Sequence, residues 1–139
     1  MMYQRVIKIK VHQQINHLMN QSVDEWFLET EAVHTALRTY SKIRYQDQEG
    51  YPIEVKWQMD PSNTFQIVEI IQPAYTLRFN PQVETVAAYQ TPQGLWELNI
   101  KTIDMAIEEL DGLKSLHINY QISLNDQILG LYNYHLTAS

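Results

Sequence analysis

Histidine and carboxylate are the side chains of this sequence that could carry acid–base or metal chemistry. The histidines are His12, His17, His34, His117 and His135, and sixteen Asp and Glu are spread over 139 residues. Cysteine is absent, which removes thiolate metal sites, thiol nucleophiles and disulfide frameworks. No G-x-S-x-G, no H-E-x-x-H and no phosphate-cradling glycine loop occurs. The carboxylate pairs Glu108–Glu109 and Glu29–Glu31 read as solvated strand or turn positions. No nucleophile, base and oxyanion site can be named together, so the expectation is a protein that is not an enzyme and uses no metal or cofactor.

The aromatic residues point to binding instead. Trp26, Trp57, Trp96, Tyr120, Tyr132 and Tyr134 fall on the apolar sides of alternating segments. Such rings either fill an interior or line a cavity that takes a flat or aliphatic molecule. Arg5 shares parity with Ile7 and Ile9, which directs it inward near one end, where a cation could hold a carboxylate headgroup. The candidate ligand-binding set is therefore Arg5, Trp26, Trp57, Trp96, Tyr120 and Tyr132.

These residues need a sheet to position them, and the sequence supplies one. Ile7, Ile9 and Val11 alternate with Lys8, Lys10 and His12; Tyr51 to Met59, Trp96 to Ile100 and Leu116 to Leu124 repeat the pattern. A period of two is the signature of a half-buried strand. Turn residues separate the segments: Asn20-Gln21-Ser22, Gln48-Glu49-Gly50, Asp60-Pro61-Ser62-Asn63, Thr91-Pro92-Gln93-Gly94, Asp111-Gly112 and Asn125-Asp126. Short connections imply antiparallel neighbours. About eight to ten strands in one meander expose two edges unless the sheet closes, so an all-β antiparallel barrel is expected, with a sandwich as the competitor. The chain, 1–139, is sized for one domain.

Two local expectations follow from phase. If the last hairpin loop is Asn125 to Gln127, then Tyr120 faces Tyr132, Ile118 faces Tyr134, and His117 meets His135 on the outer face. A loop of Asn125 and Asp126 alone would set apolar residues against polar ones along the whole hairpin. The apolar parity also flips between Ile100 and Ile103. That flip requires a β-bulge near 102–104, or a short helix starting at Asp104. Leu129 and Leu131 fall on the outer face of the last strand, where a neighbouring segment or a homodimer contact would cover them.

With the strands placed, the C-terminal half resembles the YwiB-like family of small bacterial proteins. The resemblance is carried by Tyr89-Gln90-Thr91-Pro92-Gln93-Gly94, then Leu95-Trp96-Glu97-Leu98, Thr102, Met105, Gly112, and Ile118-Asn119-Tyr120 running on to Asn125. It spans about residues 85–136; the N-terminal half agrees in length and strand rhythm. It implies a calycin-like or lipocalin-like barrel and no particular activity or catalytic residues.

Charge and the chain start narrow the partners. Ten Lys and Arg against sixteen acids give a net charge of -6, which disfavours nucleic acid and anionic membrane surfaces. The stripe Arg38, Lys42 and Arg44 with Tyr40 reads as a set of pairing partners for neighbouring carboxylates. No signal-peptide pattern and no run of about 18 apolar residues is present, so a cytoplasmic protein is expected. The expected partner is a small apolar or amphipathic ligand inside the barrel; the rival is an interaction module with a packed core. An interior void of roughly 300 Å3 or more favours the first.

Overall fold

The computed structural model describes residues 2–139. It contains ten strands: β1 (Tyr3–His17), β2 (Ser22–Ala36), β3 (Ser41–Gln46), β4 (Pro52–Met59), β5 (Gln66–Ile71), β6 (Thr76–Phe79), β7 (Thr85–Thr91), β8 (Gly94–Glu109), β9 (Leu113–Leu124) and β10 (Gln127–Ala138). All belong to one antiparallel sheet in the order β6-β5-β4-β3-β2-β1-β10-β9-β8-β7. The sheet curls into a nearly closed barrel, and the sandwich alternative falls with it.

The chain ends join the two halves of the sheet. β1 pairs with β10 from Ile9↔Ala138 to His17↔Gly130, and Ser139 N–H adds a bond to the Lys8 carbonyl at 2.9 Å. The two strands left without a ladder partner on one side are β6 and β7, which are consecutive in sequence. They meet through side chains: Tyr75 and Tyr89 pack edge-to-face at 5.2 Å, and the Thr85 hydroxyl donates to the Arg78 carbonyl.

The bulge expected near Thr102 is present, shifting the β8–β9 register between Thr102 and Asp104; no helix forms there. The last hairpin has the expected pairs Tyr120↔Tyr132, Ile118↔Tyr134 and His117↔His135. Its loop, however, is the two residues Asn125 and Asp126, with φ of 51° and 65°, so Gln127 pairs with Leu124. Positive φ at both positions makes a type I′ turn. A second bulge at Leu129 then restores the apolar register, and it turns Leu129 inward against the core while Leu131 stays outside. The Asp111-Gly112 hairpin needs three residues, 110–112, rather than two.

Odd residues of β1 and even residues of β2 face the interior, so Ile9, Val11 and Ala32 are buried. Their partners around the barrel include Ile43, Val55, Val68, Phe79, Ile100, Leu116, Ile118 and Leu136, all essentially without exposure. Outward-facing charges pair across strands as the alternation implies: Lys10 with Glu29, Lys42 with Glu54 and Arg78 with Glu69. Such exposed pairs contribute only about 0.2–1 kcal/mol each, so burial dominates the stability.

The end of the barrel holding loops 37–40, 60–65, 80–84 and 110–112 is packed shut. Trp57 is buried there and its indole N–H donates to Glu109 at 3.0 Å. His34 stacks on Trp57 with centroids 5.6 Å apart, and its Nδ1 meets the Tyr3 hydroxyl at 3.2 Å. Arg5 donates to the Asp111 carbonyl and lies over Gly112, where a side chain would overlap its guanidinium. The His34 Nε2 is buried without a partner. Burial first, and the Arg5 charge second, hold its pKa below the ordinary histidine value, with Glu109 opposing. The unfolded chain then binds a proton that the folded chain refuses, so stability falls as pH drops through about 6.5. Urea denaturation at pH 7.5 and 5.0 is expected to show a loss on acidification that His34→Gln reduces. An unchanged loss would move the acid sensitivity to another group.

Candidate functional site

The opposite end of the barrel is hollow. Loops 18–21, 47–51, 72–75, 92–93 and 125–126 surround it. An inner cavity of about 220 Å3 lies within, its walls contributed by strands on all sides of the sheet. Ile70, Leu77, Leu98 and Ile122 give it apolar surface; Gln13, Gln72, Tyr75 and Tyr132 bring polar groups. No Lys, Arg, Asp, Glu or His lines it. An outer cavity of about 230 Å3 adjoins it, sharing Gln13, Ile15, Ile53 and Gln72 and adding Trp26, Tyr45, Asp47 and Glu49. Each volume is below the roughly 300 Å3 typical of a ligand pocket, and the shared wall residues make the two adjacent chambers of one mouth.

A hydrogen bond crosses the interior between them. The Tyr45 hydroxyl on β3 and the Tyr134 hydroxyl on β10 are 2.9 Å apart; Tyr45 lines the outer cavity and Tyr134 the inner one. Burial pushes the Tyr45 pKa up to about 12, and burial raises Tyr134 as well. Tyr120 and Tyr132 stack at 5.0 Å with planes 14° apart, forming part of the inner wall. Burial raises both of their pKa values, so the phenols stay neutral at physiological pH and serve as hydrogen-bonding and stacking groups.

The structure brings together only part of the residue set read from sequence. Tyr120 and Tyr132 line the inner cavity, and Trp26 the outer one. Trp96 pairs across from Tyr89 on the rim and is half-exposed. Trp57 and Arg5 face inward as parity requires, but at the shut end, where Arg5 is tied to loop 110–112 beside a separate surface hollow. A headgroup held by Arg5 is therefore remote from both mouth cavities. The amides Gln13 and Gln72 were missed. Gln13 had a signal, since it shares parity with Val11 and Ile15; Gln72 sits in a loop and had none.

On the outer wall, His117 and His135 are neighbours as expected, with centroids 5.2 Å apart. His12 extends the row by pairing with His135. His12 is itself stacked on Phe27 at 4.4 Å and bonded to Glu25 at 3.0 Å. Partial burial and the neighbouring imidazoles of His117 and His12 lower the His135 pKa. Among the described residues, no three His, Asp or Glu converge on a point that could hold a metal ion.

Comparison with known proteins places the chain. The model of DUF1934, a domain of unknown function, matches residues 8–136. The chain belongs to the DUF1934 family. The DUF1934 fold seen here is similar to the crystal structure of the ywiB protein from Bacillus subtilis. That similarity has a TM-score of 0.64 at 13% identity and covers 98% of this chain and 93% of that one. It bears out the YwiB-like resemblance and shows the fold alone. No curated protein matches the sequence.

The Tyr45–Tyr134 bond can be tested directly. Tyr45→Phe leaves a buried hydroxyl without its partner and is expected to cost about 1–3 kcal/mol, while adding Tyr134→Phe costs less than a second such loss. Equilibrium unfolding of both single variants and the double variant measures the coupling. Because the folded Tyr45 titrates at about 12 against about 10 unfolded, its contribution is intact below pH 10 and is lost as pH rises toward 12. The double variant should show a shallower alkaline decline.

Proposed function

We propose that this DUF1934 protein is a non-enzymatic, cytoplasmic binding protein that takes one small, partly apolar molecule in the mouth of its barrel. The observation that supports this reading is the lining of the inner cavity and not its size, since each chamber falls short of the void that would by itself favour a ligand. Its lining is apolar on several sides, offers amides and phenols, and has no ionised group. The half-buried Gln13 amide at the cavity wall offers a hydrogen bond to a polar group of such a ligand. The stacked Tyr120 and Tyr132 supply a flat wall against which a ring or short chain packs. No helix is long and apolar enough to cross a membrane among the described residues, which is compatible with the cytoplasmic assignment.

Native mass spectrometry of the full chain purified from its own host is the test. A small molecule is expected to co-purify with the protein. Leu129→Trp, which places a larger side chain at the inner cavity wall, is expected to lose that molecule while keeping its β-sheet circular dichroism. An empty protein that also fails to bind 1-hexanol at millimolar concentration in solution would overturn the reading. The second reading is an interaction module acting through the outer wall. Phe27, exposed there and stacked on His12, favours it, and a specific protein partner in the same preparation would support it.

A further inference from the structure

We infer that the molecule held in the barrel mouth is a cationic amphiphile, with an apolar body in the inner cavity and an ammonium-type group in the outer one. This rests on the ligand-binding reading above and adds the charge of the ligand to it.

Three independent features carry the inference. The first is the distribution of positive charge. All ten Lys and Arg are Arg5, Lys8, Lys10, Arg38, Lys42, Arg44, Lys56, Arg78, Lys101 and Lys114. None of them falls in the five loops around the mouth, and none lines either cavity. The same loops carry Asp47, Glu49 and Asp126. An anionic ligand would therefore meet like charge and no compensating cation, whereas a cation meets an attractive field.

The second feature is the outer chamber itself. It is a partly open hollow that shares wall residues with a neutral cavity, and Trp26 and Glu49 line it together. An aromatic face beside a carboxylate suits a desolvating ammonium group, which gains from both the ring quadrupole and the opposite charge. The third feature is that the nearby carboxylates divide into used and unused. Asp24 is paired with His17 at 2.8 Å and Glu25 with His12 at 3.0 Å. Asp47 spends one oxygen on the backbone N–H groups of Glu49 and Tyr51, both at 2.9 Å. Among the described residues, Glu49 has neither an ion-pair partner nor a side-chain hydrogen bond. Of the two carboxylates that line the outer cavity, Asp47 and Glu49, it is the one whose oxygens are not engaged by the backbone.

Three probes with one six-carbon body and different headgroups test this: hexylammonium, 1-hexanol and hexanoate. Each is titrated into the full-length protein and followed by amide chemical shifts of residues lining the two cavities. Hexylammonium is expected to bind tightest and hexanoate weakest, with a spread of about tenfold at low salt that shrinks in 0.5 M NaCl. Glu49→Gln is expected to weaken hexylammonium by about three- to fivefold and to leave 1-hexanol unchanged. If 1-hexanol binds but hexylammonium binds no better, or if Glu49→Gln affects both equally, the charge inference is overturned while the binding reading stands. If none of the three binds and the protein from its own host is empty, both fall.

Discussion

The ladder between β1 and β10 is the contact on which the rest of the structure depends. It joins residues more than a hundred positions apart, from Ile9↔Ala138 to His17↔Gly130. Without it the sheet would divide into β1–β6 and β7–β10, and the inward faces of each part would have nothing opposite them. With it, Val11, Leu136, Ile118 and Ile43 enclose one continuous core. Loop-closure entropy grows only slowly with length, so joining the ends costs little more than joining elements half as far apart. Burying two apolar strand faces readily offsets that cost.

The barrel is asymmetric along its axis. At one end large side chains fill the interior, with Trp57, His34, Tyr3 and Arg5 held by Glu109 and the 110–112 loop. At the other end the inward positions of β1 are Gln13 and Ile15 rather than a run of large apolar residues, and space remains. The Tyr45–Tyr134 bond spans the interior where the filled region gives way to the hollow one. It makes two otherwise costly buried hydroxyls satisfy each other. The cavity thus comes from where the sequence stops supplying bulk.

Much of this was legible from parity. A two-residue rhythm assigned the inward faces, and the flip of that rhythm after Ile100 located the Thr102–Asp104 bulge because apolar residues mark both sides of it. The bulge at Leu129 was invisible for the opposite reason. Ile128, Leu129 and Leu131 are apolar on both faces around Gly130, so no change of phase marks the extra residue. The β9–β10 register was nevertheless correct, since the longer stretch from Leu116 to Ile122 constrained it. Parity also fails to report height along the barrel. Trp26, Trp57 and Trp96 all face inward, yet they stand at different levels because strands tilt and stagger in a closed sheet. Arg5 and Gln13 share a face of β1 and are separated by most of its length.

The seam between β6 and β7 bears on how the chain is wired. These consecutive strands are joined by residues 80–84, yet no ladder of the sheet runs between them, while the two termini lie on hydrogen-bonded neighbours. The peptide linkage across 80–84 is thus the connection the folded sheet uses least. A circular permutant that starts at Thr85 and ends at Phe79, with the old termini spliced by a short flexible segment, would preserve every strand pairing. Its chain order would then run in step with the sheet, from one free border to the other.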